Sequence, residues 1–568
     1  MNPVIFQSGN QASQHYIPGA YSRIDYRKSA GGLSSINNAV IMGDCEGGEP
    51  NTLLWFSSYS EAKDLLKSGN LLKGIQHAFT PGSGFSPQQI AAWRVNPGLQ
   101  ASYAYLKTAD EVIQVNAVDY GIYGNLLKTK LEDGSLYTGK KLTIQYGSEE
   151  PYIVDNIIRA SLSVVYNGSE ATCVMSITDT KLTTITAIGT QQLDITFASY
   201  PNIQQLVAYI NDQPGYACTI SSLNPLVELS SQLDKVTSQS IKTTPYVAYS
   251  DVQALIEAIN LCVWTKNQAS YNATTSGRTM PDNITSFVYF TGGTSGAYTS
   301  SEWADSLELL ENEDIQFIGS TCEDDSIHSL IQEHCDSMNS VTGKKERQFI
   351  LGGASGEDVD DVVARAQALN SAAGSLVYPE FQDYDDTGAV VWFSPAYYAC
   401  KLIGLVTCLA IPEPLTCKVV SVLGFLSLTT TQITECIKHG VAVGGKDGTG
   451  NFVTKRMITT YQGNVLQMNE FSIMREALYI TRDLRTAYET SFIGRAMTNN
   501  LLGDVDATFN IKMSQYAALG MFYGSPGYDG YVRTISGDQI RIEFNANLTA
   551  PVNFIFITSH MSIAAAVA

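Results

Sequence analysis

The sequence predicts a multidomain chain of α/β and α+β class: a central βαβ-type domain, a β-rich insertion, and an α+β C-terminal domain, with an extended strand arm at each end. Three observations carry this. At 568 residues the chain is too long for one hydrophobic core. Between about 100 and 235, short alternating apolar runs recur between turn clusters. Beyond about 285 the period changes, and strands alternate with amphipathic helices, as in a largely parallel sheet. The expected boundaries are an arm at 1–17, the central domain at 18–98 and 285–425, the insertion at 99–284, the C-terminal domain at 430–550, and a second arm at 551–568.

Taken in order, Tyr21 to Tyr26 alternate behind the Pro18–Gly19 turn and read as a strand. Ala39 to Met42 is an apolar run stopped by Gly43. Leu53 to Phe56 follows the Gly47–Asn51 turn, and Ser58 or Ser60 then caps a helix through Leu65 and Leu66. In the insertion, Val112–Val118, Leu142–Tyr146, Leu162–Tyr166, Cys173–Ile177 and Leu193–Phe197 read as strands, with one helix over Ile203–Ile210. The central pattern resumes at Phe287–Phe290, read as a strand. Next comes a helix with Trp303, Leu307 and Leu310 on one face, then the strand Ile315–Ile318. A second helix carries Ile327, Leu330, Ile331, His334 and Met338 at i, i+3, i+4, i+7 spacing. Phe349–Leu351 and Ser375–Tyr378 are further strands around a helix that buries Val359, Val362, Val363 and Ala366, with Ser355 as its expected N-cap. The C-terminal part reads as a long helix from Ser472 to about Tyr488, then strands Gln539–Phe544 and Val552–Thr558.

A hydrophobic share of 44% and an aromatic share of 10% exclude a disordered chain. The charged share of 16% is well under the roughly 25% of ordinary soluble domains. The surface is therefore neutral-polar or is covered by partners. A formal net charge of -20 with no basic stripe excludes direct nucleic-acid binding, which needs Lys and Arg to displace counterions. The first residues lack a basic region followed by an apolar one, so no signal peptide is expected. The apolar run Leu402–Ile411 is too short to span a bilayer, so no membrane partner is expected and synthesis is placed in the cytoplasm. Ten scattered cysteines without a C-x-x-C pair read as small buried hydrophobes.

Fragments that imitate reactive motifs fail on their residue types. Gly353-Ala354-Ser355-Gly356-Glu357 follows a strand, but a nucleophile elbow needs glycine where Glu357 stands. A soluble α/β hydrolase-like enzyme using Ser355 is the alternative from another class. Gly444 to Gly450 has Asp447 where a P-loop requires Ser or Thr. Cys322, His328, His334 and Cys335 cluster in sequence, yet six residues apart on a helix the two histidines diverge. The Glu323–Asp325 trio suits a first helical turn. No catalytic, cofactor-binding or metal-binding residues are assigned.

Several stretches, in order, resemble the contractile phage tail sheath family. They are Pro18-Gly19-Ala20-Tyr21, then Ala39–Gly43, then Gly47–Asn51, and the run Phe56 to Ala62. Gly121-Ile122-Tyr123-Gly124-Asn125 is similar to that family's G-x-W-G-N turn, and Phe290 to Gly296 to its L-x-G-G-x-D-G loop. Further on come the region from Phe349 to Arg365, and Arg456 to Tyr461 with Asn469, Arg475 and Tyr479-Ile480. Ala20 for valine, Glu49-Pro50-Asn51 in the turn, and Tyr123 for tryptophan are departures. The resemblance implies a structural subunit of the virion with no catalysis. It implies homo-oligomeric stacked rings around a tail tube protein, with baseplate and tail terminator proteins as further partners. A non-phage contractile injection system is the other assembly of this plan. Subunits of that family exchange terminal strands, which points to Val4, Ile5 and Phe6 at one end and Phe554, Ile555, Phe556 and Ile557 at the other as inter-subunit strands. Ser8–His15 and Ala546–Pro551 are the expected linkers.

Overall fold

The computed structural model describes residues 37–136 and 139–560, and the backbone of two short strands, Val4–Ser8 and Gln11–His15. The strand and turn expected over 17–36 and the tail at 561–568 lie outside the described residues. So do the side chains of Val4, Ile5 and Phe6.

Fully apolar runs without alternation make strands that are buried on both faces. Eight strands form the central sheet: β1 (Ala39–Gly43), β2 (Leu53–Phe56), β3 (Ile90–Arg94), β4 (Phe317–Ser320), β5 (Gln348–Gly352), β6 (Gly374–Tyr378), β7 (Val441–Lys446) and β8 (Phe452–Arg456). Their order is β8-β7-β6-β5-β4-β1-β3-β2. The six inner strands run parallel, and β8 and β2 close the edges antiparallel. β7 and β8, grouped with the C-terminal part from sequence, thus extend the central sheet.

Helices α1 (Tyr59–Leu66), α2 (Asn70–Phe79), α3 (Ser300–Leu310), α4 (Asp325–Met338), α5 (Val359–Leu369), α6 (Pro395–Cys408) and α7 (Thr430–Lys438) cover the two faces. The strand period of two sorts side chains between two cores. Ile41, Ala92, Ile350, Val377 and Ala442 meet α1, α2 and α6 on one face. Val40, Met42, Trp93, Leu351 and Val443 meet α3, α4, α5 and α7 on the other. Helix α6, which takes in most of the apolar run Leu402–Ile411, is buried almost all round. Among the described residues no helix is long and apolar enough to cross a membrane.

Residues 100–289 build small antiparallel sheets around two further cores. One core joins Tyr105, Val115, Leu131 and Ile144 with Leu255 and Phe290. The other joins Leu162, Met175, Ile195, Leu206 and Cys218. The strands expected there form, as Asp110–Tyr120, Lys140–Tyr146, Ala160–Tyr166, Cys173–Ile177 and Asp194–Thr196. The strand expected at Phe287–Phe290 differs. It forms as Ile284–Tyr289 and pairs antiparallel with Leu127–Asp133, outside the central sheet. Its aromatic run stays exposed, with the Lys128 and Lys130 ammonium groups 4.9 and 5.2 Å from the Phe287 ring.

The last unit is α8 (Phe471–Ser491), α9 (Asn499–Ala518) and the hairpin β9 (Tyr528–Ser536) and β10 (Gln539–Ala546). Its core packs Tyr479, Ile480 and Leu484 of α8 against Phe509, Met513 and Tyr516 of α9.

Candidate functional site

Three of the stretches that carry the family resemblance, Gly47–Asn51, Gly121–Asn125 and Phe290–Gly296, meet at the neck where the insertion leaves the central sheet. Gly121 has φ +87°, and a Cβ there would lie 1.8 Å from the Glu46 carbonyl oxygen, so only glycine admits this approach. Asn125 brackets Gly293: its Nδ2 donates to the Gly293 carbonyl at 2.8 Å, and its Oδ1 accepts from the Gly293 N–H at 3.0 Å. Ser295 Oγ donates to the Glu46 carboxylate. At the centre is Arg94, fully buried at the end of β3, which donates to the carbonyls of Gly48 and Ser295 at 2.8 Å each. Asn96 Nδ2 donates to the carbonyls of Cys45 and Ser295. Burial lowers the Arg94 pKa, while nearby Glu46 and Asp44 oppose that shift. Arg94 and Asn96 escaped the sequence reading; a charged residue closing the apolar run Ile90–Trp93 was the available signal. The arrangement is a hydrogen-bonded joint rather than a ligand pocket.

At the C-terminal unit, the register of β9 and β10 runs from Tyr528↔Ala546 to Ser536↔Gln539, with a bulge between Asp529 and Val532. Gly537 at φ +61° serves the two-residue loop between them. One face of the hairpin seats Tyr531 and Phe544 on the Phe509 ring, with centroids at 4.3 and 5.1 Å. Neither strand pairs with any other strand among the described residues, so the hairpin presents two open edges. A groove of about 470 Å³ runs between α8, α9 and β10, lined by Leu484, Tyr488, Phe492, Ile540, Ile542 and Phe544.

Past the hairpin, the chain is pinned to Glu476 of α8 and to its N-cap Glu470, and beyond Phe554 it is exposed. The Thr549 N–H donates to Glu476 at 3.3 Å, and Asn553 Nδ2 donates to Glu470 at 2.9 Å. Glu476 is fully buried, and desolvation pushes its carboxyl up to about 8. Glu470 also pairs with Arg456, whose guanidinium lies 5.6 Å from the Phe554 ring. Phe554, Ile555, Phe556 and Ile557 are 66%, 77%, 91% and 83% exposed. The strand expected over Val552–Thr558 does not form: that stretch has no strand pairing among the described residues. At the other end, Val4–Ser8 pairs antiparallel with Gln11–His15, Val4 opposite His15. The segment read as a linker over Ser8–His15 is thus mostly strand.

The reactive look-alikes are occupied by structural tasks. Ser355 Oγ donates to Glu380 at 2.8 Å, and the N-cap of α5 is Asp358, in a capping box with Asp361, not Ser355. His328 Nε2 meets the Cys322 carbonyl at 2.8 Å and its Nδ1 faces Arg365, while His334 Nε2 faces Arg347 at 2.7 Å. Burial lowers the pKa values of these histidines to about 4 and about 3. Asp324 caps α4, Asp325 lies in its first turn, and Glu323 accepts from the Ser355 N–H. Asp447 accepts from Thr449 and Asn451 and shapes the β7–β8 turn. Among the described residues no group of His, Cys, Asp and Glu is placed to hold a metal ion.

The chain is 26% identical to the tail sheath protein of Bacillus phage SP01, over 96% of this chain and 95% of that protein. It resembles phage tail sheath proteins from end to end. The tail sheath protein of Staphylococcus phage Twort is 23% identical, over 85% of this chain and 90% of that one. A sheath tail protein from Listeria innocua shares the fold, with a TM-score of 0.53 at 10% identity, over 91% and 96% of the two chains. No family model matches the chain. The sheath likeness spans the neck, the central sheet and the C-terminal unit alike.

Proposed function

We propose that the protein is the sheath subunit of a contractile phage tail: it polymerises in stacked rings around the tail tube by exchanging terminal strands. Contraction of that polymer drives the tube through the host envelope. The observation that carries this reading is the exposed apolar segment Phe554–Ile557 leaving a unit whose β9–β10 hairpin has two open edges. An unpaired edge is a template for a strand from another chain, and an added strand beside β10 would also cover the apolar groove. Val4, Ile5 and Phe6 supply the second exchanged strand in this reading. Tube, baseplate and tail terminator proteins are its further partners, and its place is the virion.

Each net hydrogen bond contributes only about 0.5–1.5 kcal/mol. Ordering the segment costs about 1–2 kcal/mol per residue. A single exchanged strand is therefore weak, and stability comes from repetition through a lattice. Contraction requires two lattices of the same subunit with the extended one metastable. In this reading Ala546–Pro551 is the linker that lets bodies reorient while strands stay paired.

The test is truncation at each end. Chains lacking residues 551–568 or residues 1–17 should remain folded monomers that form no tubes by electron microscopy. A truncated chain that still builds tubes of native width refutes strand exchange at that end.

A further inference from the structure

One sheet of the insertion ends in two open edges that suit each other. Its four strands lie in the order Tyr152–Ile157, Lys140–Tyr146, Leu127–Asp133, Ile284–Tyr289, and all neighbours are antiparallel. Neither outer strand pairs with a further strand among the described residues. From Thr285 to Tyr289 every residue is exposed, and Phe287, Val288 and Tyr289 are 37%, 38% and 51% exposed. The strand carries no charged residue and no proline, the usual means of keeping an edge from pairing. At the opposite edge Ile153 is 50% exposed.

Charge sorts the two edges. Lys128 lies opposite Tyr289, and its ammonium group is 4.9 and 5.8 Å from the Phe287 and Tyr289 rings. Among the described residues it has no carboxylate partner, whereas Lys130 pairs with Glu132 at 3.5 Å. Glu149 and Glu150, which lead through Pro151 into the strand Tyr152–Ile157, are exposed and in no ion pair among the described residues. Within one copy the two edge strands run antiparallel to each other. A neighbour's Tyr152–Ile157 that continues the sheet beyond Tyr289 therefore places its start, with Glu149 and Glu150, beside Lys128. Side-chain alternation narrows the register. Ile153 is opposite Thr143, Thr143 is opposite Lys130, and Lys130 shares the face of Phe287. Keeping that face sets Ile153 against Phe287, Tyr152 against Val288, and Asp155 against Thr285. At that far end Asp133 and Asp282 are already paired with Lys140 and Lys107, and Lys141 acts on Asp155.

We infer that this sheet continues from one copy of the chain into the next, the edge Ile284–Tyr289 of one subunit pairing antiparallel with the edge Tyr152–Ile157 of another. The contact is head to tail, so its repetition closes a ring or winds a helix. Other strands suit the edge less. A second copy of Ile284–Tyr289 would bring Lys128 only Asp282, which is already held by Lys107 and the Thr108 N–H. The segment Val552–Thr558 carries no charge at all. The contact uses neither terminal segment and stands apart from their exchange.

A pairing this short is transient outside a polymer, and oxidation traps it. Full-length chains with Cys417→Ser, which removes the exposed thiol, carry either Phe287→Cys or Ile153→Cys and are oxidised alone and in equal mixture. Directly opposed residues of an antiparallel pair lie within disulfide reach. The mixture should give a disulfide-linked dimer on non-reducing gels that neither chain gives alone. A chain with both replacements should give a ladder of multimers. Adding Ser286→Lys to the Phe287→Cys chain puts a charge on the exposed edge and should lower the dimer yield at least about tenfold. Dimers of the Phe287→Cys chain alone would mean that the strand pairs with itself, and they overturn the inference. So does a mixture without dimer, or a yield that Ser286→Lys leaves unchanged.

Discussion

Replacing Phe554 and Phe556 together by aspartate strikes the exposed segment where its geometry is best defined. The two rings stack on one side of the chain, centroids 6.3 Å apart with planes 11° off parallel. This i, i+2 pair is what a strand presents to one face of a sheet. Full burial of a phenylalanine contributes about 1.5–3 kcal/mol. At 66% and 91% exposure most of that remains to be gained in a partner. The pair is then worth roughly 3–4 kcal/mol per exchanged strand, or about 10²–10³ in the association constant. Neither ring is part of a core, and Phe554 keeps a contact with the Arg456 guanidinium, so the monomer should lose no more than about 1 kcal/mol. Sedimentation velocity across a concentration series reads the first quantity, and thermal unfolding of the monomer reads the second. Polymerisation at the unsubstituted concentration would refute the reasoning. So would a monomer Tm lowered by several degrees, since that would mean the rings pack on their own chain.

Two further outcomes are expected. Asp358→Ala should cost about 0.5–2 kcal/mol by removing the α5 cap; an unfolding midpoint in denaturant that does not move would contradict the capping assignment. Glu476 has a folded-state pKa near 8 against an ordinary carboxyl near 4.5, so the folded chain holds a proton that the unfolded chain has released between those values. Its contribution to stability is therefore full below about pH 4.5 and is lost as the pH rises to about 8. Glu476→Gln should gain on the unsubstituted chain by up to about 1.4 kcal/mol per pH unit across that window, and a difference independent of pH would show that Glu476 is not held neutral.

Five of the eight central strands were legible because strands buried on both faces are written as unbroken apolar runs, as at Ala39–Met42 and Phe349–Leu351, whereas Ile90–Arg94, Val441–Lys446 and Phe452–Arg456 were not read as strands. Amphipathic helices around Trp303 and Ile331 mark the crossovers between them. What escaped was what depends on tertiary partners. Phe287–Phe290 is the same kind of apolar run, yet its strand pairs with Leu127–Asp133 outside the central sheet and stays exposed. Helix α9 was missed although Leu501, Val505, Phe509, Met513 and Tyr516 fall near helical spacing, because the polar and apolar residues between them blur the stripe. The neck could not be read from spacing alone, since Glu46, Arg94, Gly121, Asn125 and Ser295 come together only through the fold. Phe554–Ile557 was legible as an apolar segment, but its lack of a partner shows only when the rest of the chain is in place.

The most direct measurement is an electron micrograph of the purified full-length protein. The account predicts striated tubules, with density in the wall for a neighbour's Phe554–Ile557 lying as a strand on the β9–β10 hairpin. Discrete single particles at every concentration, with that segment folded onto its own body, would contradict it.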